Sequence, residues 1–269
     1  MTESTSARKY IFITGAGSGI GRATARLFAE RGWFVGVADI NASSAAETAS
    51  LIAEHQRATS IFDVRDRAAW TRAIRAFAEI SGGRLDVLFN NAGIAHGGWF
   101  EDVSPEDAET TIDVNLKGAL NGIYTSLPLL KQTPGARIIN TASVAGLVGA
   151  PRMAAYTASK FAVRGLSEAL DLEFSRFGVR VVCLAPWFID TALLDTPMSS
   201  AGGRAPRQNL TDGGVAIHPP ELAAARAWDA AHGKAQLYMA GAEAARAHWA
   251  QRFLPNLVRA QLRKRLVER

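Results

Sequence analysis

A chain of 269 residues, 48% hydrophobic and 20% charged, can fold as one large α/β domain or two small ones. No apolar stretch approaches the roughly 20 residues of a membrane helix, a lone Cys183 excludes an internal disulfide or a cysteine-based zinc site, and the five histidines lack metal-ligand spacing. The net charge of +5 is local: Arg246 to Arg269 holds seven basic residues and one acidic one, so the near-neutral remainder is no nucleic-acid-binding body.

The polar segment from Met1 to Lys9 runs directly into an apolar strand over 9–14, which argues against a signal peptide; the single cysteine fits a cytoplasmic protein, and no metal is expected. A glycine-rich loop follows, then a helix over 20–31 stopped by Gly32. The strand over 33–38 ends at Asp39. A helix is expected over 42–56, a strand over 58–62 ending at Asp63, and a helix over 67–80 ended by Gly82-Gly83. The strand over 85–89 runs into Asn90-Asn91-Ala92-Gly93. Next comes one long helical run over 105–130, with Pro128 disturbing its last turn. A strand over 136–140 precedes Ser143, a helix spans 156–177, and a strand over 179–184 ends at Pro186.

The stretch 187–220, with Gly202, Gly203, Gly213 and Gly214, reads as a long mobile substrate loop. A helix over 220–231, a strand over 236–240 and a C-terminal helical extension over 242–269, broken at Pro255, complete the chain. The basic tail is expected to be a solvated or subunit-packing helix. Strands alternate with helices, and each chemically interesting residue stands just past a strand. That is the pattern of a single Rossmann-type domain over 1–269: a doubly wound parallel α/β sheet in three layers, binding ligands beyond the carboxyl ends of its strands.

Thr14-Gly15-Ala16-Gly17-Ser18-Gly19-Ile20-Gly21 lies between strand and helix. Gly15 and Gly17 fit the plain Gly-x-Gly-x-x-Gly pattern, but Ile20 does not. The spacing is instead Gly-x-x-x-Gly-x-Gly at Gly15, Gly19 and Gly21. Glycine admits a pyrophosphate close to the backbone, and the helix start offers unpaired N–H groups and a positive dipole end. A carboxylate at Asp39 can accept hydrogen bonds from the adenosine ribose and would repel a 2′-phosphate. Ile40 and Ser18 add no positive charge, so NAD is expected rather than NADP. Asp63, followed by Val64, could bond the adenine amino group. Read alone, Asp39 is also an ordinary strand-end cap, and a glycine loop is also a tight turn.

Five motifs in order then resemble the short-chain dehydrogenase/reductase family: TGxxxGxG at 14–21, NNAG at 90–93, Asn115 within Asp113-Val114-Asn115, Ser143, and Tyr-x-x-x-Lys at Tyr156 and Lys160. The resemblance covers the chain to about Thr191. It implies a nicotinamide-dependent alcohol or ketone oxidoreductase, a homotetramer or homodimer. Tyr156 would be the general acid/base, Ser143 would hold the substrate oxygen, Lys160 would bind the nicotinamide ribose, and Asn115 would hold a water in the proton path. Asn91, Ala92 and Gly93 would line the adenosine-ribose side. Pro186, Ile189 and Thr191 would border the nicotinamide. Where the family commonly has Pro-Gly, this chain has Pro186-Trp187, which puts the local backbone in question.

The chemistry is reasonable for these side chains. A free phenol has a pKa near 10, and Lys160, four residues on, leaves the same helix face. Its charge is expected to favour tyrosinate, with Ser143 donating to a developing oxyanion. His96, Val144, Met153, Trp187, Phe188, Leu193, Leu194 and Met198 are candidate substrate neighbours. Being mostly apolar, they point to a hydrophobic or aromatic secondary alcohol or its ketone. Two rivals stand beside this reading: a catalytically silent dinucleotide sensor or scaffold, and an epimerase or dehydratase on a related fold. Neither nucleic acid nor integral membrane association is expected.

Overall fold

The computed structural model describes residues 8–198 and 205–267. Among them the strands are β1 (Tyr10–Thr14), β2 (Phe34–Asp39), β3 (Arg57–Ile61), β4 (Val87–Asn90), β5 (Arg137–Thr141), β6 (Arg180–Pro186) and β7 (Leu237–Ala240). The helices are α1 (Gly19–Glu30), α2 (Ala42–Ser50), α3 (Arg67–Ser81), α4 (Pro105–Ile112), α5 (Gly118–Gln132), α6 (Ala154–Phe174), α7 (Pro206–Asp212), α8 (Pro220–His232), α9 (Ala242–Phe253) and α10 (Pro255–Val267). All strands pair in parallel, in the order β3-β2-β1-β4-β5-β6-β7. This is the expected doubly wound, three-layer α/β sheet.

The strands are apolar on both faces because helices cover both. Alternation along β1 sends Ile11 and Ile13 to one face, with Val35, Val37, Phe89 and Leu184. There they meet Phe28 of α1 and Ala227 and Ala230 of α8. Phe12 points the other way, with Phe34, Leu88 and Ile138, onto Trp70 and Phe77 of α3 and Ile123 of α5. Gly36 of β2 sits under that second cluster. A Cβ there would lie 2.5 Å from Phe12 and 2.9 Å from Phe77, whose rings meet edge to face at 5.3 Å. Gly36→Val is therefore expected to destabilise by about 1–3 kcal/mol through overpacking, seen as a lower thermal midpoint. An unchanged midpoint would mean that both rings yield freely.

Three elements differ from the sequence expectation. The helix expected over 42–56 stops at Ser50, and a 3-10 turn, Glu54–Gln56, leads into β3. Ile52 is buried in the core there, and reaching it takes the chain off the helical path. The run expected over 105–130 is not one uniform helix. A π turn, Asp113–Lys117, separates α4 from α5 and widens the helix around Asn115. Pro128 does not end the run, since α5 continues to Gln132 around it. The helix carrying Tyr156 begins at Ala154 and passes into a 3-10 turn, Ser175–Phe177, before Gly178.

Within 187–220 the chain forms a 3-10 turn, Ala192–Asp195, and α7. Gly202 and Gly203 of the expected loop, the N-terminal polar segment as far as Ala7, and the last two residues of the basic tail lie outside the described residues. Among those described, no helix is long and apolar enough to cross a membrane.

Candidate functional site

The carboxyl ends of β1, β4, β5 and β6 bring the sequence-singled residues to one edge of the sheet. At β1, Gly15 takes φ +62°, a left-handed conformation that favours glycine. A Cβ on Gly21 would run into the Gly15 carbonyl, so the loop closes tightly on the start of α1. Ser18 occupies the N-cap position without a side-chain cap bond, and the first turn of α1 holds no acidic residue. Uncapped N–H groups beside a glycine cradle fit a pyrophosphate. Asp39, at the end of β2, is lodged against the same loop: one carboxylate oxygen accepts from the Gly17 N–H at 2.8 Å and the other from the Asn41 N–H at 2.9 Å. That is where a dinucleotide's ribose needs an acceptor. Ile40 is exposed next to it and brings no charge.

Arg22, which the sequence reading passed over, reaches this loop from α1. Its guanidinium donates to the Gly17 carbonyl, to Thr48 Oγ1 at 3.0 Å and to Glu47 at 2.8 Å. Thr14 was also missed as a site residue. Its hydroxyl accepts from the Asn91 and Ala92 N–H groups at 3.1 and 3.2 Å, while the Asn91 amide donates back to the Thr14 carbonyl at 3.0 Å. The NNAG segment is thereby stapled to β1. Its place as first residue of the glycine motif was the signal that could have revealed it. Asp63 turns back on its own loop, where Arg65 donates to it from Nε at 2.8 Å, Nη2 at 2.6 Å and the backbone at 2.9 Å. That guanidinium holds the Asp63 carboxyl below its ordinary range, although burial opposes it. Val64 packs beneath Gly118, and its carbonyl accepts from Trp70 and Asn121.

Next to the cradle, α6 presents Tyr156 and Lys160. Lys160 is 3% exposed, and its Nζ donates to the Thr141 carbonyl at 2.8 Å while lying 5.6 Å from the centroid of the Tyr156 ring. Burial pushes the lysine down to about 8. The sequence expectation of a phenol made more acidic is not the direction seen in the protein alone. Burial raises Tyr156, and the neighbouring Ser143 hydroxyl pulls the other way. Ser143 follows β5 in extended conformation, with its Oγ accepting from the Ala145 N–H at 3.1 Å. Val144 starts the 3-10 turn after it.

Asn115 is 3% exposed, and its amide is already committed. Nδ2 donates to the Ile94 carbonyl and Ser159 Oγ, both at 3.0 Å, and Oδ1 accepts from the Ile94 N–H at 2.9 Å. It thus ties the loop after β4 to α6. Gly93 lies against it: a Cβ there would stand 3.1 Å from Asn115 Oδ1 and 3.4 Å from Lys160 Nζ.

The substrate side is partly as expected. Trp187 has no positive φ, so losing the family's glycine imposes no left-handed strain. Its indole donates to the Ala216 carbonyl at 3.1 Å and stands edge-on to Phe188 at 5.1 Å. Ile189 and Leu194 are buried. Thr191 comes within contact distance of Gly19, where a Cβ would meet its Cγ2 at 2.7 Å. Met153 and Met198 converge on Gly97, at 2.7 and 2.9 Å from a Cβ placed there. His96 is otherwise engaged: Nδ1 bonds Thr111 Oγ1 at 3.0 Å and Nε2 stands 3.6 Å from Asp107, so both nitrogens face α4. Arg207 of α7, unremarked in the sequence, donates to Asp190 at 2.6 Å and Asp195 at 2.5 Å and clasps the start of the loop. A cavity of about 380 Å³ lies between that clasp, Gly19, Arg22 and Arg26. It borders the glycine loop, and Tyr156 is not among its lining residues.

The family model described as short chain dehydrogenase matches residues 9–200. An uncharacterized oxidoreductase of Thermotoga maritima is 39% identical over 178 residues, covering 66% of this chain and 70% of that protein. Oxidoreductase UcpA of Salmonella typhimurium is 35% identical over 217 residues, covering 80% and 82%. A short-chain dehydrogenase/reductase from Burkholderia phymatum, solved in complex with NAD, superposes with a TM-score of 0.82 at 28% identity, covering 93% of this chain and 95% of that one. A 3-ketoacyl-(acyl-carrier-protein) reductase from Brucella melitensis, complexed with NADH, gives 0.76 at 29% identity, covering 86% and 96%. On its glycine cradle, its Tyr156–Lys160 pair and these matches, the chain belongs to the short-chain dehydrogenase/reductase family of oxidoreductases.

Proposed function

We propose that the protein is an NAD(H)-dependent dehydrogenase/reductase interconverting a hydrophobic or aromatic secondary alcohol and its ketone, with Tyr156 as general acid/base. The observation that carries this reading is the convergence of Tyr156, Ser143 and a buried Lys160 beside a glycine cradle with an uncapped helix start. NAD and NADH, bound by the Burkholderia and Brucella relatives, support the choice of coenzyme. Gly15, Gly19 and Gly21 would admit the pyrophosphate, Asp39 the adenosine ribose, and Lys160 the nicotinamide ribose. When bound, the coenzyme supplies or accepts the hydride.

The residues of this chain handle the proton and the geometry. Ser143 donates to the substrate oxygen and orients it toward Tyr156. In reduction, the Tyr156 O–H protonates the alkoxide; in oxidation, the phenolate takes that proton back. Lys160, held by Thr141, offsets the phenolate's charge from the same helix face. Asn115 is a positioning residue here, fixing Ser159 and the loop after β4. Val144, Met153, Trp187 and Phe188 supply apolar walls.

The direct test is a panel of aryl and alkyl ketones and alcohols, followed by nicotinamide absorbance with NAD(H) and NADP(H). No turnover anywhere on the panel would favour the silent-sensor reading. Asp39→Ala is expected to cut the NAD/NADP ratio of kcat/KM by roughly tenfold or more, since a charge-assisted ribose contact is lost and repulsion of a 2′-phosphate is relieved. An unchanged ratio would remove the carboxylate from coenzyme selection.

A further inference from the structure

α9 and α10 lie beyond residues 9–200, so the family match assigns them no role. They carry large apolar side chains into solvent. Trp249, Phe253, Leu254 and Leu257 are each more than half exposed, and none of the described side chains from 245 to 266 is buried. The Trp249 and Phe253 rings stack 5.5 Å apart. The Leu254 N–H donates to the Ala250 carbonyl at 2.8 Å, and the Val258 N–H donates to the Leu254 carbonyl at 3.1 Å. The joint between the two helices is therefore a bonded corner bearing four exposed apolar side chains. Arg252 lies 6.0 Å from the centroid of the Phe253 ring. Arg246 pairs with Glu243 of its own helix at 3.2 Å, but Arg252, Arg259 and Arg263 enter no ion pair among the described residues. Clustered apolar surface rimmed by charge marks an interaction surface.

The same chain carries a surface opposite in sign. From Leu85 to Leu116 there is no lysine or arginine, and Trp99 to Asp113 holds six carboxylates. Glu101 and Asp102 sit in the 3-10 turn Phe100–Asp102, and Glu106 and Glu109 in α4. All four are exposed and form no ion pair among the described residues, whereas Asp107 faces His96 and Asp113 pairs with Lys117. A helix dipole favours Glu106 in the first turn of α4, but that preference does not extend to Glu101, Asp102 or Glu109. Phe100, beside them, is 75% exposed.

We propose that the corner between α9 and α10 is an interface with a second copy of this chain, whose segment 99–109 receives it. The exchange is reciprocal: each copy offers its corner and receives the other's, which closes a twofold contact. Arg252, Arg259 and Arg263 of one copy meet Glu101, Asp102, Glu106 and Glu109 of the other. Phe100 joins the apolar side chains of the corner. Charge complementarity sets partner and register, and the apolar centre excludes water. An anionic bilayer would suit the basic corner alone and leave segment 99–109, with Phe100, facing water.

The test is a charge swap read by sedimentation velocity. One variant combines Arg252→Glu, Arg259→Glu and Arg263→Glu; the other combines Glu101→Lys, Glu106→Lys and Glu109→Lys. Wild type is expected to sediment as an assembly of two or more chains, and each variant alone at half that mass or less. Their equimolar mixture is expected to regain the wild-type mass, because only the mixed pair restores opposite charges in both halves of the contact. Phe253→Ser, with every charge kept, is expected to weaken the assembly tenfold or more. Far-UV circular dichroism checks that the variants fold; should either triple variant fail, Arg259→Glu and Glu109→Lys replace them, read as a tenfold or greater weakening that mixing reverses. A monomeric wild type overturns the proposal, as does a variant that keeps the wild-type mass or a mixture of folded variants that stays dissociated. Co-sedimentation of a monomeric wild type with phosphatidylglycerol vesicles would reassign the corner to a bilayer.

Discussion

Tyr156→Phe is expected to lower kcat by roughly 10²–10⁴-fold, the range over which a positioned acid or base contributes, while NADH affinity stays within about twofold. The substitution removes one oxygen and keeps the ring, so packing on α6 is retained. Its consequences should be confined to the proton. Because burial raises the phenol, the protonated form predominates at neutral pH. Reduction therefore has its acid ready, whereas oxidation requires the phenolate and should accelerate as pH rises. Ketone reduction by the variant at a rate near wild type would reassign the acid. Loss of NADH binding along with activity would show that the ring was holding the cleft together.

The second large effect belongs to Lys160, which is expected to separate activity from stability. Lys160→Met should lower turnover by roughly 10²–10³-fold, as the loss of one preorganised electrostatic contact does. Its effect on folding has the opposite character. The buried ammonium titrates at about 8 in the folded chain against an ordinary 10.5. Between those values the unfolded chain binds more protons than the folded one, so stability rises with pH across that window. Below pH 8 the folded state carries the whole penalty of a buried charge; above 10.5 it carries none. A shift of this size corresponds to about 3 kcal/mol. Denaturant titrations from pH 7 to 11 should show wild type gaining that much relative to Lys160→Met. Parallel profiles for the two proteins would mean that the ammonium is solvated in the folded state.

The glycine cradle and its carboxylate were legible in the chain because their arrangement is local. Gly15, Gly19 and Gly21 sit in one turn between an apolar strand and a helix, and Asp39 closes the neighbouring strand, so pattern alone brings them to one edge. Tyr156 and Lys160 were legible for a similar reason, since four residues along a helix is one face. What escaped depends on tertiary placement. Nothing local marks Asp113–Lys117 as a π turn. Its residues read as ordinary helix, and only the packing of Asn115 onto Ile94 and Ser159 makes the wider turn worthwhile. Ile52 ends α2 early because the core claims it. His96 was a candidate substrate neighbour, but its Nδ1 bonds Thr111 and its Nε2 faces Asp107, both of α4. Arg207 meets its partners only after the loop has folded over. The direction of the Tyr156 shift was likewise hidden, because burial is a property of the whole cleft and not of a four-residue spacing.

A buried line of polar side chains runs beneath the site from sheet to helix. Asn90 of β4 donates to Asn140 of β5 at 2.9 Å, Asn140 donates to Ser167 of α6 at 3.0 Å, and Ser167 donates to the Val163 carbonyl at 2.7 Å. Greasy contacts let a helix slide by fractions of an ångström with little change in energy, whereas directional bonds sealed from solvent do not. The height of the phenol above the sheet is thus notched like a key in its ward, and whatever arrives at the cleft finds the Tyr156 side chain already set at one fixed elevation.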